Sequence, residues 1–375
     1  MEGIYIHIPF CRQACRYCDF FFTVSLKYMD RFVDALVKEI RVKGEKQGGK
    51  DLGTLYLGGG TPSLLSMAHL DKILNTIQRY YSFREDPEWT IECNPEDLDR
   101  ATASYLLQSG FNRLSIGIQS FLDKDLELMR RSHDSSRAES SVREAASAGF
   151  DNITIDLIYG IPGQAIARWE ENIERSLSLP ISHLSAYHLT FEPGTVFDHW
   201  RKKRQLVPVS EEKSVRQYKI LREKMKAAGF DHYELSNFGR EGSLSKHNML
   251  YWSGKSYLGY GPSAHSFNGK QRSWNISSLK AYMEGIENGK TIEETEMLGP
   301  RERYHDYLII SLRTKWGADL VKLERSFGKQ IRMHFEEKAQ PFIDSGNMYR
   351  ISGRVLIDPG QWLITDHILR HLFMD

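Results

Sequence analysis

Short β-branched runs that alternate with longer segments of helical period set the tightest limit on what this chain can fold into. Ile4-Tyr5-Ile6-His7-Ile8 has the pattern of a strand, and Phe32, Val33, Leu36, Val37 and Ile40 repeat as one helix face. The alternation recurs. Residues 54–57 precede a helix over 70–80, residues 89–93 one near 101–107, and residues 113–119 one near 124–130. A further helix should precede a strand over 153–158, and another strand runs near 183–189. Repeated strand–helix units predict a parallel sheet under outer helices. A closed barrel takes eight such units in about 250 residues, and roughly six fit here before the pattern changes near residue 200. The expectation is an α/β fold with an incomplete, TIM-like (β/α)6 barrel whose open side suits a large substrate. Ligand groups should gather beyond the C-terminal ends of its strands, where the loops 9–20, 58–62, 93–95 and 119–121 fall.

Beyond residue 288 the pattern becomes helical around 301–312 and 319–327. It ends in a short-strand stretch, 348–365, containing Gly353 and a Pro359-Gly360 turn. Helices followed by a small hairpin suggest a winged-helix-like appendage. The predicted division is a barrel over 1–270, a connecting segment over 271–294 and a C-terminal domain over 295–375. At 375 residues, one large domain and a smaller one are expected. The 50 basic side chains nearly cancel the 49 acidic ones, so no whole-chain field favours nucleic acid or a membrane surface. The basic run 201–204 reads as a solvated loop. No stretch of about 18 apolar residues occurs and the first residues lack a basic leader, so a cytoplasmic protein is expected.

Three of the four cysteines lie together as Cys11-x-x-x-Cys15-x-x-Cys18, a clustering that suits a metal in a reducing compartment better than a disulfide framework. Three thiolates this close can wrap one polynuclear centre, whereas tetrahedral zinc usually takes four ligands. A four-iron, four-sulfur cubane on three cysteines leaves one iron open, and the amino and carboxylate groups of S-adenosylmethionine (SAM) suit that iron. The alternative is zinc with His7, His133 or Cys93 as fourth ligand. Cys93, at a predicted strand end, reads as a packing or pocket residue. Leu57-Gly58-Gly59-Gly60-Thr61-Pro62 follows a strand with three glycines, which lets backbone approach a ligand closely. No Gly-Lys-Ser/Thr follows it and no G-x-G-x-x-G opens the helix, which argues against nucleotide-triphosphate chemistry.

The cysteine loop through Phe20, together with Gly58–Pro62, resembles the radical SAM superfamily. Arg113-Leu-Ser-Ile-Gly-Ile-Gln-Ser-Phe121 and the stretch NITIDLIYGIPGQ (152–164) narrow this to the oxygen-independent coproporphyrinogen oxidase-like family. The resemblance spans nearly the whole chain. It implies that Cys11, Cys15 and Cys18 bind the cluster and that Tyr5 and Tyr17 lie beside cluster and cofactor. It further implies that Gly60, Thr61 and Pro62 meet the methionyl end of SAM, and that Glu92, Gln119, Arg131 and Asp156 hold its amino, ribose and carboxylate functions. Carboxylates suit ammonium and hydroxyl groups, and a guanidinium suits a carboxylate.

Within that family the chain resembles the haem-chaperone subgroup more than the coproporphyrinogen III dehydrogenases. The dehydrogenases have a longer leader and a further cysteine two residues after the third, where this chain has Phe20. His247-Asn-Met-Leu-Tyr-Trp252 matches the H-N-x-x-Y-W motif of the chaperone subgroup and makes His247 the candidate haem ligand, with Tyr251 and Trp252 as flat apolar surface. His265 and Met249 are weaker alternatives. The function implied is a haem-binding chaperone that carries a [4Fe-4S] cluster and SAM and delivers haem to acceptor haemoproteins, membrane-associated ones included, as a monomer or homodimer. The rival is radical oxidative decarboxylation of a porphyrinogen. A zinc-stabilised nucleic-acid binder is a third class, against which the balanced charge argues.

Overall fold

The computed structural model describes residues 2–47 and 51–374. In chain order the first half holds β1 (Gly3–Ile8), α1 (Met29–Gln47), β2 (Asp51–Gly59), α2 (Met67–Tyr80), β3 (Ser82–Cys93), α3 (Arg100–Gln108) and β4 (Arg113–Gln119). It continues with α4 (Asp123–Met129), α5 (Ser135–Ala148), β5 (Ile153–Tyr159), α6 (Ile166–Leu177) and β6 (His183–His188). These strands pair in parallel in the order β1-β2-β3-β4-β5-β6. Apart from the exposed first half of β3, they are buried along most of their length because the helices cover one face and the strands curl around the other. Ile4, Ile6 and Ile8 sit at zero exposure between α1 and the sheet, so the alternation of β1 becomes the start of the main core.

The sheet extends further than the periodicity predicts. After α7 (Val196–Lys202) and α8 (Glu211–Ala227), β7 (Asp231–Glu234) and β8 (Asn237–Gly239) add antiparallel beyond β6. On the other edge, after α9 (Lys246–Ser253), β9 (Tyr257–Tyr260) pairs in parallel with β1. β10 (His265–Phe267), β11 (Gln271–Asn275) and, after α10 (Leu279–Glu287), β12 (Glu293–Met297) follow antiparallel. The twelve-strand order ends at β12 on one side and β7 on the other, so the barrel stays open. These added strands are three to five residues long, too short to show a period. β12 reads EETEM and is mostly exposed, a charged edge of the kind that resists further pairing. The stretch 271–294, expected as a connecting segment, carries β11 and α10, and α10 packs on α1.

Beyond it stand α11 (Pro300–Leu312), β13 (Ala318–Asp319), α12 (Leu320–Phe327), α13 (Lys329–Asp344), β14 (Met348–Ile351), β15 (Arg354–Ile357) and α14 (Thr365–Leu372). They share a core of their own around Tyr304, Leu308, Leu323, Phe335 and Trp362. The three strands pair antiparallel as β13-β15-β14. Ser352 and Gly353, both with positive φ, form the two-residue hairpin turn that matches the twist of β14 and β15. Pro359-Gly360, expected as a turn, opens a 3-10 helix over Pro359–Ile364. No helix among the described residues is long and apolar enough to cross a membrane.

Candidate functional site

β1 delivers the chain into a loop that the fold closes tightly. The Cys11 N–H donates to the Thr23 carbonyl at 3.0 Å, and the Thr23 N–H to the Pro9 carbonyl at 2.7 Å. The Arg16 N–H donates to the Met129 carbonyl at 3.1 Å, while its guanidinium covers the Trp200 ring at 4.9 Å. So pinned, the loop turns Cys11, Cys15 and Cys18, all free and half-buried, toward one cavity of about 620 Å³ beyond the C-terminal ends of the parallel strands. The Thr61 hydroxyl lies 3.6 Å from the Cys11 Sγ, and Arg131 Nη1 lies 3.5 Å from the Cys15 Sγ.

The glycine loop forms the cavity floor beside the cysteines. Gly59 has φ +111°, a backbone that L side chains avoid. A Cβ on Gly60 would stand 2.7 Å from the Phe10 carbonyl oxygen. Thr61 lines the cavity, whereas Pro62 is buried and does not line it. Glu92 on β3 accepts from the Tyr56 hydroxyl at 2.8 Å and from the Gly59 N–H at 3.0 Å. Burial outweighs these bonds and pushes its carboxyl up to about 7. Asp156 on β5 accepts from the Ser115 hydroxyl at 3.1 Å, and burial likewise raises it to about 6. Gln119 ends β4 in the left-handed region at φ 66°, uncommon for a non-glycine residue and frequent at functional sites. Arg131 donates to the Asn94 side chain at 2.7 Å and the Gly117 carbonyl at 2.8 Å. Tyr17, on the cysteine loop, completes this wall.

A second cavity of about 410 Å³ adjoins the first and shares Phe20, Gly59 and Glu92 with it. Tyr5 faces this second space, as does Tyr251. His247 lines neither cavity. It is 1% exposed, its Nδ1 lies 2.7 Å from the Thr54 hydroxyl, and its Nε2 lies 2.9 Å from the Tyr251 hydroxyl. A ring held at both nitrogens can take iron only after one of those bonds breaks. The histidines considered for zinc are engaged elsewhere: His7 Nε2 meets the Phe21 carbonyl at 2.9 Å, and His133 Nε2 meets the Ile118 carbonyl at 3.1 Å. Cys93 is 3% exposed, and burial raises its thiol, which keeps it neutral.

The first cavity thus gathers three free thiols, exposed glycine backbone, two half-buried carboxyl groups and a half-buried guanidinium. The Nε of Arg131 and the hydroxyl of Thr90 have no hydrogen-bond partner among the described residues. Buried polar groups without partners are costly unless a ligand supplies them. The chemistry of this donor set suits an iron–sulfur cluster on the thiols and a zwitterionic ligand with ammonium, carboxylate and hydroxyl groups beside it, although among the described residues no three such side chains stand close enough together to hold a metal ion. Sequence reasoning missed Asn94, which links Arg131 to Thr61, and Tyr56 and Ser115, which hold the two carboxyls. It also missed Trp362, Leu363, Thr365 and Asp366, with which the C-terminal unit walls one side. The strand-end position of Asn94 was its only signal, and the C-terminal wall has none in the sequence.

Residues 5–175 match the family model of the radical SAM superfamily. The chain is 34% identical to the heme chaperone HemW of Bacillus subtilis over 95% of each chain. It is 32% identical to the heme chaperone HemW of Lactococcus lactis over 100% of this chain and 98% of that one. A mouse protein, radical S-adenosyl methionine domain-containing protein 1, mitochondrial, is 32% identical over 84% of this chain and 74% of its own. Among solved structures, the coproporphyrinogen III oxidase HemN of Escherichia coli superimposes with a TM-score of 0.87 at 23% identity, covering 100% of this chain and 90% of that one. That likeness is one of fold.

Proposed function

The chain belongs to the radical SAM superfamily and, within it, to the family of the heme chaperones HemW, and from that membership we propose that it binds haem and passes it to acceptor haemoproteins, membrane-associated ones included. The observation that carries this reading is the near full-length similarity to relatives named as haem chaperones. Phe20 supports it: two residues beyond Cys18, where the dehydrogenases have a further cysteine, stands an apolar ring 69% exposed on the cluster loop.

Cys11, Cys15 and Cys18 would hold a [4Fe-4S] cluster with one iron left for SAM. When bound and reduced, the cluster would supply the one electron that cleaves a sulfonium C–S bond of SAM. The chain's own groups would do the rest of the holding. Thr61 steadies Cys11, the Gly60 backbone admits the methionyl end, and Arg131 pairs with the carboxylate while screening the thiolates. Glu92 and Asp156, raised by burial, ionise when an ammonium or ribose hydroxyls replace the missing water. Gln119 and Tyr17 complete the contact surface.

Anaerobic reconstitution followed by parallel titration with SAM and haem tests the reading. The expected result is about four irons and four sulfides per chain, a haem absorption band, and transfer of that haem to an apo-haemoprotein. Material that takes up the cluster but no haem refutes the chaperone reading. Decarboxylated product from coproporphyrinogen III at sustained turnover would replace it with the dehydrogenase one.

A further inference from the structure

We infer that the outer surface of the cysteine loop, with the basic run 201–204 beside it, is a docking face for a small acidic protein that carries one electron; this rests on the reading of Cys11, Cys15 and Cys18 as cluster ligands. A cluster that cleaves a sulfonium bond must first take an electron from a donor. The step is a bare transfer: the carrier's metal centre is oxidised by one electron, the cluster is reduced by one, and no bond forms or breaks.

In the loop each of the first two thiols is followed by a cation. Arg12 comes directly after Cys11, and Arg16 directly after Cys15. The thiols are half-buried, whereas Arg12 is exposed at the mouth of the cavity. The guanidinium of Arg16, laid across Trp200, donates to the Glu127 and Leu128 carbonyls at 3.2 and 3.1 Å. The Gln13 side chain donates to the Arg130 carbonyl at 2.9 Å, which brings the exposed Arg130 beside the loop.

The basic run, expected as a solvated loop, is seated against this same surface. Its first two residues end α7, and α7 is tied to the cysteine loop where the Phe197 N–H donates to the Arg16 carbonyl at 3.0 Å. Phe197 shares a small core with Tyr17, Trp200 and Leu206, so run and loop are fixed relative to one another. The anions nearby lie beneath the cations. Asp198 pairs with Arg201 at 2.7 Å and with Lys202 at 2.6 Å, yet its side chain is 3% exposed while theirs are 47% and 64% exposed. Asp97 is likewise buried under Arg12, its partner at 2.6 Å. Lys203 and Arg204 are exposed and have no ion pair among the described residues. The exposed carboxylates Asp19 and Glu127 stand in the same region and are outnumbered by these cations.

The whole chain has a formal net charge of +1, so this face is a local concentration of positive charge and not a sample of a basic protein. Cations that served an anionic lipid or a nucleic acid would have no reason to gather around the cysteines. An electron carrier does supply that reason, because it needs a short path to the cluster, and the half-buried thiols belong to the very loop that carries Arg12 and Arg16. Electron-transfer complexes are small and transient, under about 1,200 Å². Complementary charge, rather than a deep groove, is what steers and orients them.

The test uses cluster-reconstituted full-length protein with an acidic plant-type [2Fe–2S] ferredoxin as the probe. Binding is read by isothermal titration calorimetry, and cluster reduction by anaerobic stopped-flow absorption. The variants are the double charge reversal Lys203→Glu/Arg204→Glu and, with the same change in net charge, Lys329→Glu/Lys338→Glu on α13. At low ionic strength the first should bind ferredoxin roughly tenfold more weakly and be reduced by it roughly tenfold more slowly. Its iron content and its full reduction by dithionite should be unchanged, and the second variant should match the wild type throughout. High salt should erase the difference. An equal loss in both variants, no loss in either, or wild-type protein that binds phosphatidylglycerol vesicles but not ferredoxin overturns the inference while leaving the cluster reading intact. Absence of iron after reconstitution overturns the cluster reading itself, and this inference with it.

Discussion

Gly60 leaves no room for a side chain, since a Cβ there meets the carbonyl oxygens of Ile8 and Phe10 at 2.8 and 2.7 Å. Both belong to the backbone that leads into Cys11, so neither can yield without moving the cysteine loop. Gly60→Ala should cost about 1–3 kcal/mol, the range for overpacking a tight site, and should lower iron and sulfide content after reconstitution. Gly163, with positive φ and open space around it, is the control: Gly163→Ala should carry only the backbone strain of about 1 kcal/mol and keep its iron. Equal iron content in the two variants would contradict this account, with urea midpoints giving the stabilities. Glu92 makes a different prediction. Its ordinary value is 4.5, and burial raises it to about 7 in the ligand-free fold. Between those values the fold keeps a proton that the unfolded chain has released. The ligand-free protein therefore loses stability as pH rises through that window, by roughly 3 kcal/mol from this one group. Asp156, raised from 3.8 to about 6, adds a fall of the same sign at slightly lower pH. Urea melts from pH 5 to 8 should show the decline, and Glu92→Gln should flatten its upper part. A slope unchanged in that variant would mean that Glu92 is not the group responsible.

At the scale of elements, the parallel strands β1, β4 and β5 were legible because each carries branched residues between turn signals, and burial on both faces demands that composition. The C-terminal ends of the parallel strands then locate Cys11, Gly60, Glu92, Gln119 and Asp156 together, because topology alone forces strand ends to converge. The strands of 231–297 were not legible. Their pairing depends on partners far off in the chain, as when β9 joins β1, with Gly3 beside Tyr257. His247 shows the same limit at a single residue: its hexapeptide stood out, but the Thr54 hydroxyl that occupies its ring comes from β2, 193 positions away. The edge β9–β12 hangs on α1 through Glu39, which accepts from the Gly261 N–H at 2.9 Å, the Asn275 side chain at 2.8 Å and the Tyr282 hydroxyl at 2.6 Å, and pairs with Lys43 at 2.8 Å. Glu39→Ala would strand these buried donors and the Lys43 cation, a loss of about 3–5 kcal/mol. Hydrogen exchange should show faster opening at β9, β10 and β11 than at β4 and β5. Uniform acceleration across the sheet would mean that Glu39 stabilises the whole core and not this edge.

Across the whole molecule, the C-terminal unit is more than an appendage, since it supplies one wall of the large cavity and contacts the sheet through a short aromatic stack. The Trp362 ring, 1% exposed, stands edge-on to His232 with centroids 4.5 Å apart, and His232 stacks on Phe238 of β8 at 4.1 Å. Burial pulls His232 down to about 3, so the stack is neutral at physiological pH and packs as three apolar plates. Trp362 belongs at once to the C-terminal core and to the cavity wall. Two hydrophobic cores joined by this stack, by the backbone bonds Leu235 N–H to Arg313 carbonyl and Lys315 N–H to Tyr233 carbonyl, and by the packing of α11 on α9 unfold together only while the joint holds, because cooperativity between units comes from the free energy of their shared contact. Trp362→Ala removes a buried indole, worth about 3–5 kcal/mol, from that joint. The wild-type protein should then melt in one urea transition and the variant in two, the C-terminal unit first, with lower m-values for each step. Its cluster should also bleach faster with a chelator, since the wall at Trp362, Leu363 and Thr365 is breached while the cysteine loop is untouched. A single transition merely shifted to lower urea, with bleaching at the wild-type rate, would show that Trp362 stabilises its own core without coupling that core to the cavity.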